Sequence, residues 1–160
     1  MILEAELIEN LAALPVAKRA ITNLSVLNEA YDYKSSFVRG MRIDLNGLAI
    51  LLISGTASID EQGRSVHIGD FRAQLRRTYH NISGLLESEG ATWHDIVRTT
   101  CYLRDIERDY QAFNEERTKF FQEQGLNPVP ASTGIQAVLC RPELLIEIEA
   151  IAMFRTPPKA

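Results

Sequence analysis

Apolar and polar positions alternate most clearly over residues 144–154, LLIEIEAIAMF. The period of two sends Leu144, Ile146, Ile148, Ala150, Ala152 and Phe154 to one face of a strand, and Leu145, Glu147, Glu149, Ile151 and Met153 to the other. A second strand is expected over residues 37–45, with Phe37, Arg39, Met41 and Ile43 sharing a face. Asn46-Gly47 follows, a pair that tolerates positive φ and suits a two-residue hairpin turn. The return strand, residues 48–53, is apolar at every position, so both of its faces should be buried. Ser54-Gly55-Thr56 then ends it with small residues that leave room for a ligand or backbone.

Helical periodicity takes over at residues 70–89, where Phe71, Leu75, Tyr79, Ile82 and Leu86 form a stripe. Thr92-Trp93-His94-Asp95 has the form of a capping box ahead of a β-branched strand at residues 96–103. A second helix is expected over about residues 107–122, striped by Tyr110, Phe113, Arg117, Phe120 and Phe121. A strand at 131–139 and an Arg141-Pro142 turn lead into the last strand. At the start, Leu3, Leu7, Leu11 and Leu14 predict a short docking helix over residues 1–13, and residues 16–36 show no clear period.

The order strand, strand, helix, strand, helix, strand, strand predicts a two-layer α+β domain with both helices on one sheet face. Residues 1–35 read as an N-terminal extension with a short extra helix, and 36–155 as the domain. The other sheet face would be left bare. Its apolar content exceeds what monomers usually expose, which predicts a closed homo-oligomer.

Composition narrows the classes of function. The chain has 160 residues, 46% hydrophobic and 24% charged, with net charge −4. This suits a soluble domain and supplies no broad basic surface, so nucleic acid is disfavoured as a partner. Arg72, Arg76 and Arg77 read as a solvated helix face. The two cysteines, Cys101 and Cys140, form no CxxC and read as small core residues. The three histidines share no ligand spacing, so neither a metal nor a cofactor is implied. No apolar run reaches the roughly 20 residues of a membrane span, and the acidic start does not resemble a signal peptide. A reducing cytoplasm is the expected location.

The candidate chemistry centres on Glu147 and Glu149. Next neighbours on one strand face lie about 6.6 Å apart, so each raises the other's proton affinity where water is excluded, which would fit one of them for proton transfer. A solvated or ion-paired sheet face accounts for the same spacing. Arg39 is open in the same way, as a ligand contact or a surface ion-pair partner.

Together, Phe37-Val38-Arg39-Gly40, Ile53-Ser54-Gly55-Thr56, Val97-Arg98-Thr99-Thr100, Phe113-Asn114 and the run Ile146-Glu147-Ile148-Glu149-Ala150-Ile151-Ala152 resemble the Rid superfamily, the RidA or YjgF-like proteins. The resemblance implies a chorismate-mutase-like fold, a homotrimer, small-molecule clefts between subunits, and hydrolysis of enamines and imines. It makes Glu147 the residue that positions or activates water, and places Phe37, Arg39, Ser54, Gly55, Thr56, Ser132 and Thr133 at the substrate. RidA-type deaminases carry an arginine in a Pro-Ala-Arg-Ser motif that clamps the substrate carboxylate. Here the stretch is Pro130-Ala131-Ser132-Thr133, and a serine supplies no charged fork. The expected function is therefore binding of a small carboxylate or carbonyl metabolite, with hydrolysis or water-assisted elimination as the reaction class, as in the chorismatases. Two alternatives stand beside it: a non-catalytic metabolite-binding or regulatory protein, and an imine deaminase that uses Arg39 as a substitute clamp.

Overall fold

A computed structural model describes residues 16–156, without the side chains of Tyr31 and Tyr33. The helix expected over residues 1–13 lies outside the described residues. Strands β1 (Ala17–Ile21), β2 (Gly40–Leu45), β3 (Leu48–Ala57), β4 (Ile96–Leu103), β5 (Ala131–Gln136) and β6 (Ile146–Arg155) form one sheet in the order β1-β2-β3-β6-β4-β5. Helices α1 (Phe71–Glu87) and α2 (Ile106–Glu123) follow β3 and β4. All neighbouring strands are antiparallel except β4 and β5. A parallel pair needs a crossover, and α2 supplies it.

Local chemistry explains most of these elements. Asn46 and Gly47 both take positive φ, 46° and 77°, the pairing that matches hairpin twist. Asp70 caps α1 by accepting from Ala73 N, and Asp105 caps α2 by accepting from Arg108 N. The expected capping box is present, with Thr92 and Asp95 satisfying each other's backbone. The core fills the space between the helices and one sheet face. Leu75, Ile82 and Leu85 of α1 and Phe113 and Phe121 of α2 join Leu51, Ile53, Ile146 and Ile148 in a single cluster. Tyr79 stacks on Phe120 at 4.3 Å, and Trp93 meets both rings edge-on.

Several features depart from the sequence-based expectations. Residues 16–36, read as irregular, contain β1, which extends the sheet by pairing with β2 from Ala17↔Asp44 to Ile21↔Gly40. A five-residue strand with one buried position carries too little periodicity to read. Its Arg19, together with Arg42 of β2, closes on Glu89 at 2.5 and 3.1 Å. Next, Ser54-Gly55-Thr56 does not end β3. The strand continues to Ala57 through an irregularity between Ile53 and Thr56, because β6 goes on pairing beyond it, as Thr56↔Ile148 and Ala57↔Glu147. As expected for a sheet with both helices on one side, only one face of β3 is buried within the chain. Ala49, Leu51 and Ile53 are in the core, whereas Leu52 is 41% exposed on the bare face, with Met153 of β6 at 40%. Two helices cover one side of a six-stranded sheet and leave the other open.

The arginine face of α1 is not simply solvated. Arg72 and Arg76 pair with Glu116 of α2 at 3.1 and 2.9 Å, and Arg77 reaches Glu61 at 2.9 Å. Among the described residues, no helix is long and apolar enough to cross a membrane.

Candidate functional site

Strand β6 presents Glu147 beside the irregular stretch of β3. Its Cα partners are Ala57 on β3 and Tyr102 on β4. A Cβ at Gly55 would stand 2.0 Å from Glu147 Oε1, so the absence of a side chain at Gly55 makes the space the carboxylate occupies. Glu147 is half-buried. Burial first, and the charge of Glu149 second, raise its proton affinity above the ordinary carboxylate range. Glu149 is exposed.

Around Glu147 lies a cleft of about 560 Å³, including solvent at its mouth. Gly55, Thr56 and Glu147 line it together with Phe37, Arg39 and Arg141. Arg39 is buried, and its guanidinium donates to Asn28 O at 2.8 Å and to Asn28 Oδ1 at 3.0 Å, with Phe37 5.4 Å away. Those bonds fix Arg39 in the wall and occupy part of the fork that a substitute clamp would use. Arg141 donates to Gly63 O at 2.8 Å and Ser65 Oγ at 3.2 Å. In the sequence Arg141 stands only in a turn beside Pro142, since nothing local announces that the loop before β6 borders the cleft.

The remaining expected residues fall elsewhere. Ser54 donates to Val38 O at 2.7 Å and ties β3 to the chain entering β2, outside the cleft lining. Ser132 and Thr133 sit on exposed β5, separated from β6 by β4, and neither lines the cleft of Glu147. Ser132 instead borders a crevice of about 810 Å³ between α2 and β5, with Arg117, Phe121 and Leu126. Cys140, expected in the core, is exposed and borders the Glu147 cleft. Cys101 is a core residue, and burial pushes its thiol up. Among the described residues, no group of three or more His, Cys, Asp or Glu side chains is placed to hold a metal ion.

Comparison with known proteins bears on the family and the fold. The family model described as Endoribonuclease L-PSP matches residues 29–154. The 3-aminoacrylate deaminase RutC of Acinetobacter baylyi is 34% identical over 103 residues, 64% of this chain and 78% of that protein. A RutC family protein of Pyrococcus abyssi is 32% identical over 102 residues, 64% of this chain and 76% of that protein. Among solved structures, the YjgF gene product of E. coli superposes with a TM-score of 0.70 at 26% identity, over 86% of this chain and 99% of that one. The matched span takes in β2 to β5, β6 up to Phe154, both helices and Glu147, and with it the chain belongs to the Endoribonuclease L-PSP family of the Rid superfamily, in the YjgF-like fold.

Proposed function

We propose that the protein assembles as a homotrimer and uses the Glu147 cleft to add water to a small carboxylic acid bearing an imine or enamine group. One observation carries this reading: a half-buried carboxylate with raised proton affinity is held against Gly55 in a cleft walled by two arginines. A carboxylate in that state serves as a general base or acid near neutral pH better than an ordinary one. An enamine first tautomerises to its imine; Glu147 then takes a proton from water as the oxygen bonds to the carbon of the protonated C=N group, and returns that proton to the nitrogen as the C–N bond breaks and the hydroxyl proton leaves to solvent. The products are a carbonyl compound and ammonia. The cleft of one copy is completed by β5 of a neighbour, which brings Ser132 and Thr133 to the substrate and covers the bare sheet face around Leu52 and Met153.

That the curated relative in A. baylyi is a 3-aminoacrylate deaminase supports the substrate class. Ser132 favours a second reading, a binding protein without turnover, because the residue at the clamp position carries no charge.

The test measures mass and activity on one preparation. A particle of about three times 18.0 kDa, with release of ammonia from 2- or 3-aminoacrylate that falls about 10²- to 10⁴-fold in Glu147→Gln, supports the proposal. Binding of such acids without ammonia release selects the second reading, and a monomer in solution overturns the assembly.

A further inference from the structure

The guanidinium of Arg117 sets a feature of the α2–β5 crevice that neither the family motif nor the Glu147 cleft accounts for. Arg98 beside β5 donates to Thr133 Oγ1, whereas several arginines of the chain meet carboxylates: Arg19 and Arg42 meet Glu89, Arg76 meets Glu116, and Arg108 meets Asp109. Arg117 does not. Among the described residues its partners are neutral: Nη2 donates to Asn114 Oδ1 at 2.6 Å, Nη1 donates to Ser132 Oγ at 3.3 Å, and the ring of Phe113 lies 4.6 Å from the guanidinium carbon. Stacking and the short bond to Asn114 hold the fork in place at low entropic cost, while the long bond to Ser132 is readily exchanged for a charged acceptor. The fork borders a crevice whose other walls include Phe121, Leu126, Val129 and Pro130.

We infer that Arg117 binds the carboxylate of the ligand in place of the arginine that Ser132 replaces, and that the crevice accepts acids with an apolar substituent. Ser132 then acts as an acceptor and spacer that leaves room for a guanidinium arriving from α2. The charge that a longer side chain would bring from β5 comes here from the helix, and Phe121, Leu126 and Val129 take the substituent. The inference rests on the proposed reading only in joining this carboxylate subsite to the reacting group near Glu147.

The test is calorimetric titration of the intact protein with hexanoate, hexanamide and acetate. Hexanoate should bind about 10- to 100-fold tighter than the uncharged amide, the worth of a charge-assisted hydrogen bond, and each methylene between acetate and hexanoate should add about fourfold. Arg117→Gln should abolish the preference for acid over amide with melting temperature and mass unchanged, Arg117→Lys should keep part of it, and Leu126→Ser should flatten the chain-length series. Equal binding of acid and amide, absence of hexanoate binding at millimolar concentration, or an unaltered preference in Arg117→Gln each overturns the inference. If Arg117→Gln loses the preference while Glu147→Gln keeps full turnover, only the Glu147 reading fails. If Glu147→Gln loses turnover while Arg117→Gln binds like the parent, only the Arg117 inference fails.

Discussion

Replacing Gly55 with alanine adds one carbon at the point where β3 passes Glu147. The new Cβ would lie 2.0 Å from Oε1 and 3.0 Å from the carboxyl carbon, whereas carbon and oxygen ordinarily approach no closer than about 3.3 Å. The carboxylate must therefore withdraw by roughly 1.3 Å, by the same contact distance. Gly55 does not occupy the left-handed backbone region, so alanine meets no backbone penalty there. Holding Glu147 off its rotamer costs about 0.5–1.5 kcal/mol, and the loss of glycine freedom in the unfolded chain returns about 0.4–1 kcal/mol. Stability should change by about 1 kcal/mol or less, a melting shift within about 4 °C. Turnover responds far more, because displacing a reacting group by about 1 Å costs on the order of 10²-fold. The assay is ammonia release from 3-aminoacrylate alongside a thermal melt, on Gly55→Ala, Glu147→Gln and the double variant. The double variant should be no slower than Glu147→Gln alone, since both changes act through one carboxylate. Full activity in Gly55→Ala, or a further loss in the double variant that multiplies the two single effects, would refute the argument that Gly55 exists to seat Glu147.

Other consequences concern charge and assembly. Because the folded protein raises the proton affinity of Glu147, it binds more protons there than the unfolded chain, so this group's contribution to stability is intact below the ordinary glutamate range and is lost as pH rises through the folded value. The melting temperature of Glu147→Gln relative to the parent should therefore climb from pH 4 upward and then level, and a flat or falling difference would show that the carboxylate is not desolvated. Glu89→Ala removes the shared partner of Arg19 and Arg42 from a site where the glutamate side chain is 3% exposed. The loss should be about 1.5–3 kcal/mol, a drop of roughly 3–12 °C in melting temperature, and an unchanged melt would mean that β1 is not held by this cluster. Leu52→Arg places a charge on the bare sheet face and should reduce the particle to monomer mass by light scattering, while a trimer that survives it would exclude this face from the interface.

How much of this was legible in the chain depends on the range over which each feature is decided. Local patterns settled the elements themselves: alternation fixed β6 and its two faces, the Asn46-Gly47 pair fixed a hairpin, and Thr92 with Asp95 closed the turn before β4, because each depends on backbone sterics and neighbours a few residues away. The alternation also placed Glu147 opposite the core-facing residues of β6, and the motif around it carried the family. Tertiary structure decided what the period could not express. β1 has one buried position, so only its pairing with β2 reveals it. Pairing with β6 carries β3 past Gly55, which turns a supposed strand end into the seat of Glu147. The parallel addition of β5 beside β4 moves Ser132 and Thr133 away from Glu147 within one chain and sets Ser132 against Arg117. Contacts of this kind join residues far apart in sequence through strand order and crossover direction, and no window along the chain contains both partners.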